Sequence, residues 1–282
     1  RELGLLRELR EGQRTHEQLC ENLSLRPEAT QLVLDALVAT SIIEKYGDDY
    51  ALSRVAHLLC QYDDDLGDAT WNRLVGHVRG TGEPEADDQA FMNALAATQW
   101  VHTPAAMQAA EMLDLGGDEE VSGPTILDLG CGSAVWSSAM AHRDPKSKIT
   151  GVDRAAALKA AQSTADSIGL GDRFQTIEAE PAEVDLGESK FDIVLVAQRL
   201  GCVGPEEGRK LLTKAVDALT IGGKLVVIDL FRGPAKPDMY ECVEALKLEL
   251  ETVQGGMWTL EAIQAELTEL GLERVEVTFM AD

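Results

Sequence analysis

The run Asp128-Leu129-Gly130-Cys131-Gly132-Ser133-Ala134 constrains this chain more than any other stretch. It follows the apolar residues Thr125-Ile126-Leu127 and leads into Val135-Trp136-Ser137-Ser138-Ala139-Met140, which has the composition of a buried helix. A strand that passes through a tight glycine turn into a helix places backbone N–H groups at the mouth of an α/β sheet. Such a mouth receives the polar part of a nucleotide-like ligand.

The spacing narrows the ligand. A dinucleotide fingerprint needs a small residue three positions after its second glycine. Here that position is Val135, and the small residue Ala134 comes one earlier. An acid, Asp128, stands two residues before the first glycine. It would repel a pyrophosphate, but it suits the amino group of a zwitterionic amino-acid moiety, as in S-adenosylmethionine. A second acid ends the next apolar run, Ile149-Thr150-Gly151-Val152-Asp153, where a carboxylate can hold ribose hydroxyls. Asp153 as an N-cap for a helix starting near Ala155 is the competing reading. For Asp128 the competing reading is a solvated strand end.

Composition bounds the rest. A chain of 282 residues is long enough for two domains and a sizeable core. No apolar run reaches the length needed to span a bilayer, and no signal peptide is recognisable. The first residue, Arg1, is not Met, so the sequence is expected to be a fragment. Cys20, Cys60, Cys131, Cys202 and Cys242 are odd in number and scattered, which suits reduced thiols in a cytoplasmic protein. The net charge of −24 opposes nucleic acid and anionic membranes as partners, because affinity for phosphates comes from Lys and Arg.

Periodicity predicts an N-terminal domain over 1–60, a helical bridge over 61–120 and a sheet domain over 121–282. Helices are expected over Glu2 to Arg10, from Thr15 as cap with Gln18 at its third helical position, and over Pro27 to Thr40. Ile42 to Tyr46, the turn Gly47-Asp48-Asp49, and Tyr50-Ala51-Leu52 read as a hairpin, which completes a winged helix. Its recognition helix carries Glu28 and Asp35 beside Arg26, so it lacks the basic footprint of a DNA reader. The bridge holds two further helices, Gln89 to Thr98 and Pro104 to Leu113, and Gly116 to Glu120 reads as the boundary before the sheet. Strands are then expected at Phe174 to Glu178, at Phe191 to Val196, after the Gly222-Gly223 turn at Lys224 to Asp229, and at Arg274 to Phe279. Alternation of strands and helices predicts an α/β, Rossmann-like doubly wound sheet.

The sheet domain resembles the class I S-adenosylmethionine-dependent methyltransferases. The whole chain is similar to the small-molecule O-methyltransferases that carry an N-terminal winged-helix dimerisation domain. The matching residues include Gly4-Leu5-Leu6, Thr15 through Leu23, Tyr50-Ala51-Leu52-Ser53, Trp71-Asn72-Arg73-Leu74, Gly80-Thr81-Gly82-Glu83-Pro84, the glycine turn, and Trp258-Thr259-Leu260 with Gly271-Leu272. The resemblance implies a homodimer and a small-molecule acceptor, aromatic or polyketide-like. It also implies further helix before the first one here and another strand after the sixth. By position, Asp128, Gly130 and Gly132 would hold the methionine portion of S-adenosylmethionine and Asp153 the ribose. Glu180, in the turn Ala179-Glu180-Pro181, would border the adenine or else be a surface carboxylate. Ala197, Gln198 and Arg199 would line the space between sulfonium and acceptor. Arg199 has two readings, a holder of an anionic substrate or a surface salt bridge.

One departure bears on mechanism. The family has a His-Asp pair shortly after the fourth strand, where the His deprotonates the acceptor. This chain has Gly201-Cys202 there, and no histidine follows His142. A positioned base contributes about 10²–10⁴-fold, so its loss narrows the acceptor to an acidified phenol or enol, a neutral amine or a stabilised carbanion. His102 and Cys202 are the weak substitutes, against the duller readings of a bridge-surface residue and a packed thiol. Trp100, Met92, Met107 and Met257 read as pocket walls or ordinary core. Two further functional readings stay open, a ligand-binding protein that has lost methyl transfer and a DNA-binding regulator.

Overall fold

The computed structural model describes residues 3–54, 56–57, 60, 73–81, 87–116, 123–187, 191–237 and 239–280. The segment at 61–72, the Gly82-Glu83-Pro84 motif and most of the boundary at Gly116 to Glu120 lie outside these residues. The chain forms two compact units, one of residues 1–83 with 238–247 and one of residues 84–237 with 248–282.

In the first unit, α1 (Leu5–Arg10), β1 (Arg14–Thr15), α2 (His16–Leu23), α3 (Pro27–Ala39), β2 (Ile43–Tyr46) and β3 (Asp49–Leu52) follow in order. Thr15 and Gln18 close a reciprocal capping box at the start of α2, and Pro27, which needs no N–H partner there, opens α3. The hairpin β2–β3 turns at Gly47, whose φ of 65 needs a residue without Cβ. Nothing in the residue pattern marks β1, yet it pairs antiparallel with β3 and completes the sheet β1-β3-β2. Leu5, Leu9, Leu19, Leu34, Ile43 and Tyr50 form its core. Helices α1 to α3 followed by this three-stranded antiparallel sheet fit a winged helix.

The second unit begins with α4 (Asp88–Thr98), a 3₁₀ turn (Gln99–His102) and α5 (Thr103–Met112). It continues as β4 (Thr125–Leu129), α6 (Val135–Arg143), β5 (Lys148–Asp153), α7 (Ala155–Ser167), β6 (Phe174–Glu178), β7 (Phe191–Ala197), α8 (Pro205–Asp217), β8 (Leu219–Ile228), α9 (Met239–Glu251), which starts in the first unit, and α10 (Leu260–Glu269). The five strands are all parallel, in the order β6-β5-β4-β7-β8.

Both faces of this sheet are covered, which is why its strands read as continuous apolar runs. Ile126, Ile149 and Leu195 pack with Trp136, Met140 and Ala161 on one face. Their neighbours Leu127, Leu129, Val152, Val194 and Val196 pack with Leu211, Leu212, Ile263 and Leu267 on the other. The chain leaves β4 in one direction and returns to β7 on its other side. The C-terminal ends of β4 and β7 therefore form the switch point of the sheet, the crevice where such folds bind ligands.

Two expectations need correction. The fifth strand does not begin after Gly222-Gly223 but runs through them from Leu219. A register shift opposite Phe191 and Ile193 absorbs the glycines, so they mark a bulge and not a turn. No strand forms over Arg274 to Phe279. Its apolar alternation predicts extended backbone, but a strand exists by pairing, and no strand edge among the described residues pairs with it. Phe279 is exposed, and Val275 and Met280 alone pack against the cores.

Candidate functional site

The glycine turn is fixed from below by β5. Gly130 N and Cys131 N both donate to Val152 O, at 2.9 and 3.2 Å, and Gly132 N donates to Asp153 Oδ2 at 2.9 Å. Gly130 and Gly132 have φ of 82 and 55, the left-handed region that glycine enters without a Cβ penalty. Asp153 Oδ1 accepts from Arg154 N at 2.8 Å. Its carboxylate thus joins two strand ends, and α7 has no side-chain cap, so Asp153 is not a helix cap.

Asp128 lies beneath the turn, 1% exposed, which excludes the solvated strand end. Its Oδ2 accepts from Ser137 Oγ at 2.5 Å, while Oδ1 has no hydrogen-bond partner among the described residues. Burial pushes the carboxyl up to about 7; the Ser137 bond opposes this shift and the Asp153 charge adds to it. The same burial raises the Cys131 thiol well above its ordinary value, which leaves it a packing residue.

A wall of amides stands over the turn. Gln99 Oε1 accepts from Ser133 N at 2.9 Å and Ser133 Oγ at 3.0 Å, and Gln99 Nε2 donates to Gln198 Oε1 at 3.2 Å. Trp136 Nε1 donates to that same Gln198 oxygen at 3.0 Å. Gln198 has a φ of 53, costly for a residue with a Cβ, and its N–H donates to Ile228 O at 2.6 Å. Gln99 was missed in the sequence because nothing in its spacing marks it; only the 3₁₀ turn brings it over Gly132.

Arg199 is not a surface salt bridge. It is 5% exposed and its stem crosses the turn: a Cβ on Gly130 would meet Arg199 Cγ at 3.0 Å and Cδ at 3.1 Å. Its guanidinium reaches Glu180 Oε1 at 3.3 Å and Met92 Sδ. Glu180 Oε2 in turn takes Arg154 Nε at 2.7 Å, so the turn Ala179-Glu180-Pro181 is tied to two arginines. Gln89, Met92, Gln99, Gly130, Asp153 and Arg199 are among the residues lining a narrow crevice beside the turn. Ala197 lines it as well, and Pro181 is buried beside Glu180.

The remaining residues fall elsewhere. His102 stacks on Trp136 with ring centroids 6.0 Å apart and is not among the crevice-lining residues. Trp100 is 67% exposed, neither pocket wall nor core. Cys202 is buried, its Sγ 3.4 Å from Gln198 O. Beside it, Gly201 N donates to Asp229 Oδ2 at 3.2 Å, and a Cβ on Gly201 would meet Leu248 Cδ1 at 3.2 Å. Asp229 was also missed, although it ends its strand as Asp128 and Asp153 end theirs. Burial pushes it up to about 6, against backbone N–H bonds from Gly201, Leu230, Leu200 and Arg199.

Residues 126–223 match the family described as "Methyltransferase domain". Over this stretch the sheet unit is similar to methyltransferase domains. Over 119 residues, 42% of this chain and 31% of the relative, the protein is 30% identical to the L-tyrosine C(3)-methyltransferase of Streptomyces lavendulae. The chain thus spans under a third of that relative's length. Among solved structures, the S-adenosylmethionine-dependent methyltransferase SibL is similar with a TM-score of 0.69 at 23% identity, over 100% of this chain and 90% of that one. The mitomycin 7-O-methyltransferase MmcR gives 0.65 at 20%, over 97% and 86%. At these identities the structural likeness establishes the fold. The α/β sheet with its helix α7, helix α4 and the 3₁₀ turn that follows α4 supply the residues that line the crevice.

Proposed function

We propose that the protein binds S-adenosylmethionine over the glycine turn and transfers its methyl group to a small acceptor, aromatic or polyketide-like. The carrying observation is Asp128 Oδ1, a buried carboxylate oxygen without a partner at the tip of β4. Such an atom costs folding free energy unless a donor reaches it, and an α-ammonium is a donor of matching charge. Gly130 and Gly132 add no side chain of their own to a turn that the Arg199 stem and the Gln99 amide already approach, and Asp153 keeps acceptor capacity for ribose hydroxyls beyond its two backbone bonds. Gln198 and Ala197 would border the reacting centre, and Glu180 with Pro181 the base. Bound there, the sulfonium supplies an electrophilic methyl.

What the chain adds is position and dryness. Holding nucleophile and methyl at contact distance is worth much of the barrier, and charge dispersal at a sulfonium favours a pocket closed to water. A histidine base is not part of this reading, because Gly201 holds its place, with Leu248 Cδ1 3.2 Å from where a Cβ would be. The acceptor therefore arrives acidic or already nucleophilic. Oxygen is the default atom; carbon is the alternative, as in the tyrosine-methylating relative. The N-terminal winged helix serves dimerisation in this reading, over residues 1–60, with the bridge over 61–120 and the catalytic domain over 121–282.

Calorimetric titration with S-adenosylhomocysteine tests the first step, and absence of binding overturns it. Transfer of labelled methyl to phenols of graded acidity tests the second. The rate of each should rise through the acceptor's own pKa. A single pKa common to all acceptors would mean that the protein supplies a base. Binding without transfer to any acceptor supports the second reading, a ligand-binding protein of this fold, which Gly201-Cys202 motivates.

A further inference from the structure

Arg199 is a buried cation that the protein itself leaves poorly satisfied. A guanidinium presents five N–H donors in a planar fork that matches a carboxylate with two parallel bonds. The partners of Arg199 are one carboxylate oxygen, Glu180 Oε1 at 3.3 Å, and the thioether of Met92. Charge-assisted pairs close to roughly 2.7–2.9 Å, so the Glu180 contact is long. The reason is visible in the same carboxylate. Glu180 gives Oε2 to Arg154, with Nε at 2.7 Å and a second nitrogen at 2.5 Å, and only its other oxygen remains for Arg199.

Position makes the shortfall informative. The Arg199 side chain is 6% exposed, yet it lines the crevice, and its stem lies directly on Gly130. Asp153 lines the same crevice, and its two carboxylate oxygens accept from Gly132 N and Arg154 N. A buried cation is stable only when paired, and the crevice has no second carboxylate of its own turned to Arg199 among the described residues. A zwitterion seated on the turn would bring one, opposite in sign to the ammonium that Asp128 accepts.

We infer that Arg199 is a carboxylate-binding residue of the crevice: its buried guanidinium takes the carboxylate of the molecule bound over the glycine turn, in place of its long contact to Glu180. The inference rests on the cofactor reading above and adds to it the residue that recognises the amino-acid end. The same chemistry has two sources, the carboxylate of the cofactor's methionyl group or that of an acidic acceptor.

Binding separates them without any turnover. Calorimetry with S-adenosylhomocysteine and with methylthioadenosine, which lacks the amino-acid end, is carried out on the wild type, Arg199→Met and Arg199→Lys. Arg199→Met should weaken S-adenosylhomocysteine by about tenfold or more and leave methylthioadenosine unchanged, with Arg199→Lys between. Unchanged methylthioadenosine binding also shows that the variants are folded. If both nucleosides bind as in the wild type, a hydroxyphenylacetic acid and the matching phenol are titrated with S-adenosylhomocysteine present. Selective loss of the acid assigns Arg199 to the acceptor's carboxylate. Equal loss of both nucleosides, or no loss with any of the four compounds, overturns the inference. A wild type that binds neither nucleoside defeats the cofactor reading and the inference with it.

Discussion

Ser137 Oγ donates a 2.5 Å hydrogen bond to Asp128 Oδ2, across the glycine turn that separates strand β4 from helix α6. It ties the first turn of a helix buried from Val135 through Ala141 to a carboxylate that is itself buried. Removing the donor leaves the carboxylate's charge less compensated. Ser137→Ala is expected to cost about 1–3 kcal/mol of stability and to move the Asp128 titration further upward. Thermal unfolding and the pH midpoint of nucleoside binding measure the two effects.

The raised Asp128 makes cofactor binding pH-dependent. In the free protein this carboxyl is half protonated at about 7, and an ammonium partner favours its ionised form. Binding therefore displaces a proton below that pH. S-adenosylhomocysteine affinity should fall as pH drops below about 7, and calorimetry in two buffers of different ionisation enthalpy should show proton release.

Stability responds with the opposite sign. A carboxyl whose folded value is raised binds more protons folded than unfolded, so its contribution is complete below the unfolded value of 3.8 and is lost as pH rises through the folded one. For Asp128 and Asp229 the window runs from about 4 to about 7 and about 6 respectively. Asp128→Asn should gain stability relative to the wild type as pH rises from 4 to 7, by a few kcal/mol at most, while losing nucleoside binding. Denaturant midpoints across this range check the slope.

Gly130→Ala is expected to lose both stability and binding. The residue sits at a φ of 82, and the added Cβ would press on the Arg199 stem at 3.0 Å. Backbone strain of about 1–2 kcal/mol adds to that contact. Gly169→Ala, also at positive φ but with open space around it, should show the strain alone and keep nucleoside binding intact.

In the first unit, Thr15→Ala removes one half of the capping box that starts α2. The expected loss is about 1 kcal/mol of unfolding free energy with no effect on nucleoside affinity, read by chemical denaturation and calorimetry on the full chain.

Local chemistry made much of this legible. The capping box, the Pro27 helix start, the hairpin at Gly47, and the strands β4 to β7 all follow from side-chain period or from residues that tolerate one backbone conformation. The acids Asp128 and Asp153 were legible because a strand end followed by a glycine turn admits few ligands. Where two readings were balanced, burial decided. Arg199 looked equally like a substrate holder or a surface ion pair, and its placement across Gly130 removed the second.

The chain by itself determined the winged helix, the parallel sheet and the position of its glycine turn, since each depends on neighbours close in sequence. Tertiary structure alone decided the rest. Arg199 lies on Gly130 only because the order β6-β5-β4-β7-β8 places β7 beside β4, and Gln99 meets Ser133 only because the 3₁₀ turn carries it over the glycine turn. The protonation of Asp128 has the same origin: no pattern in sequence reports how many atoms exclude water from a carboxylate, and that exclusion sets its charge.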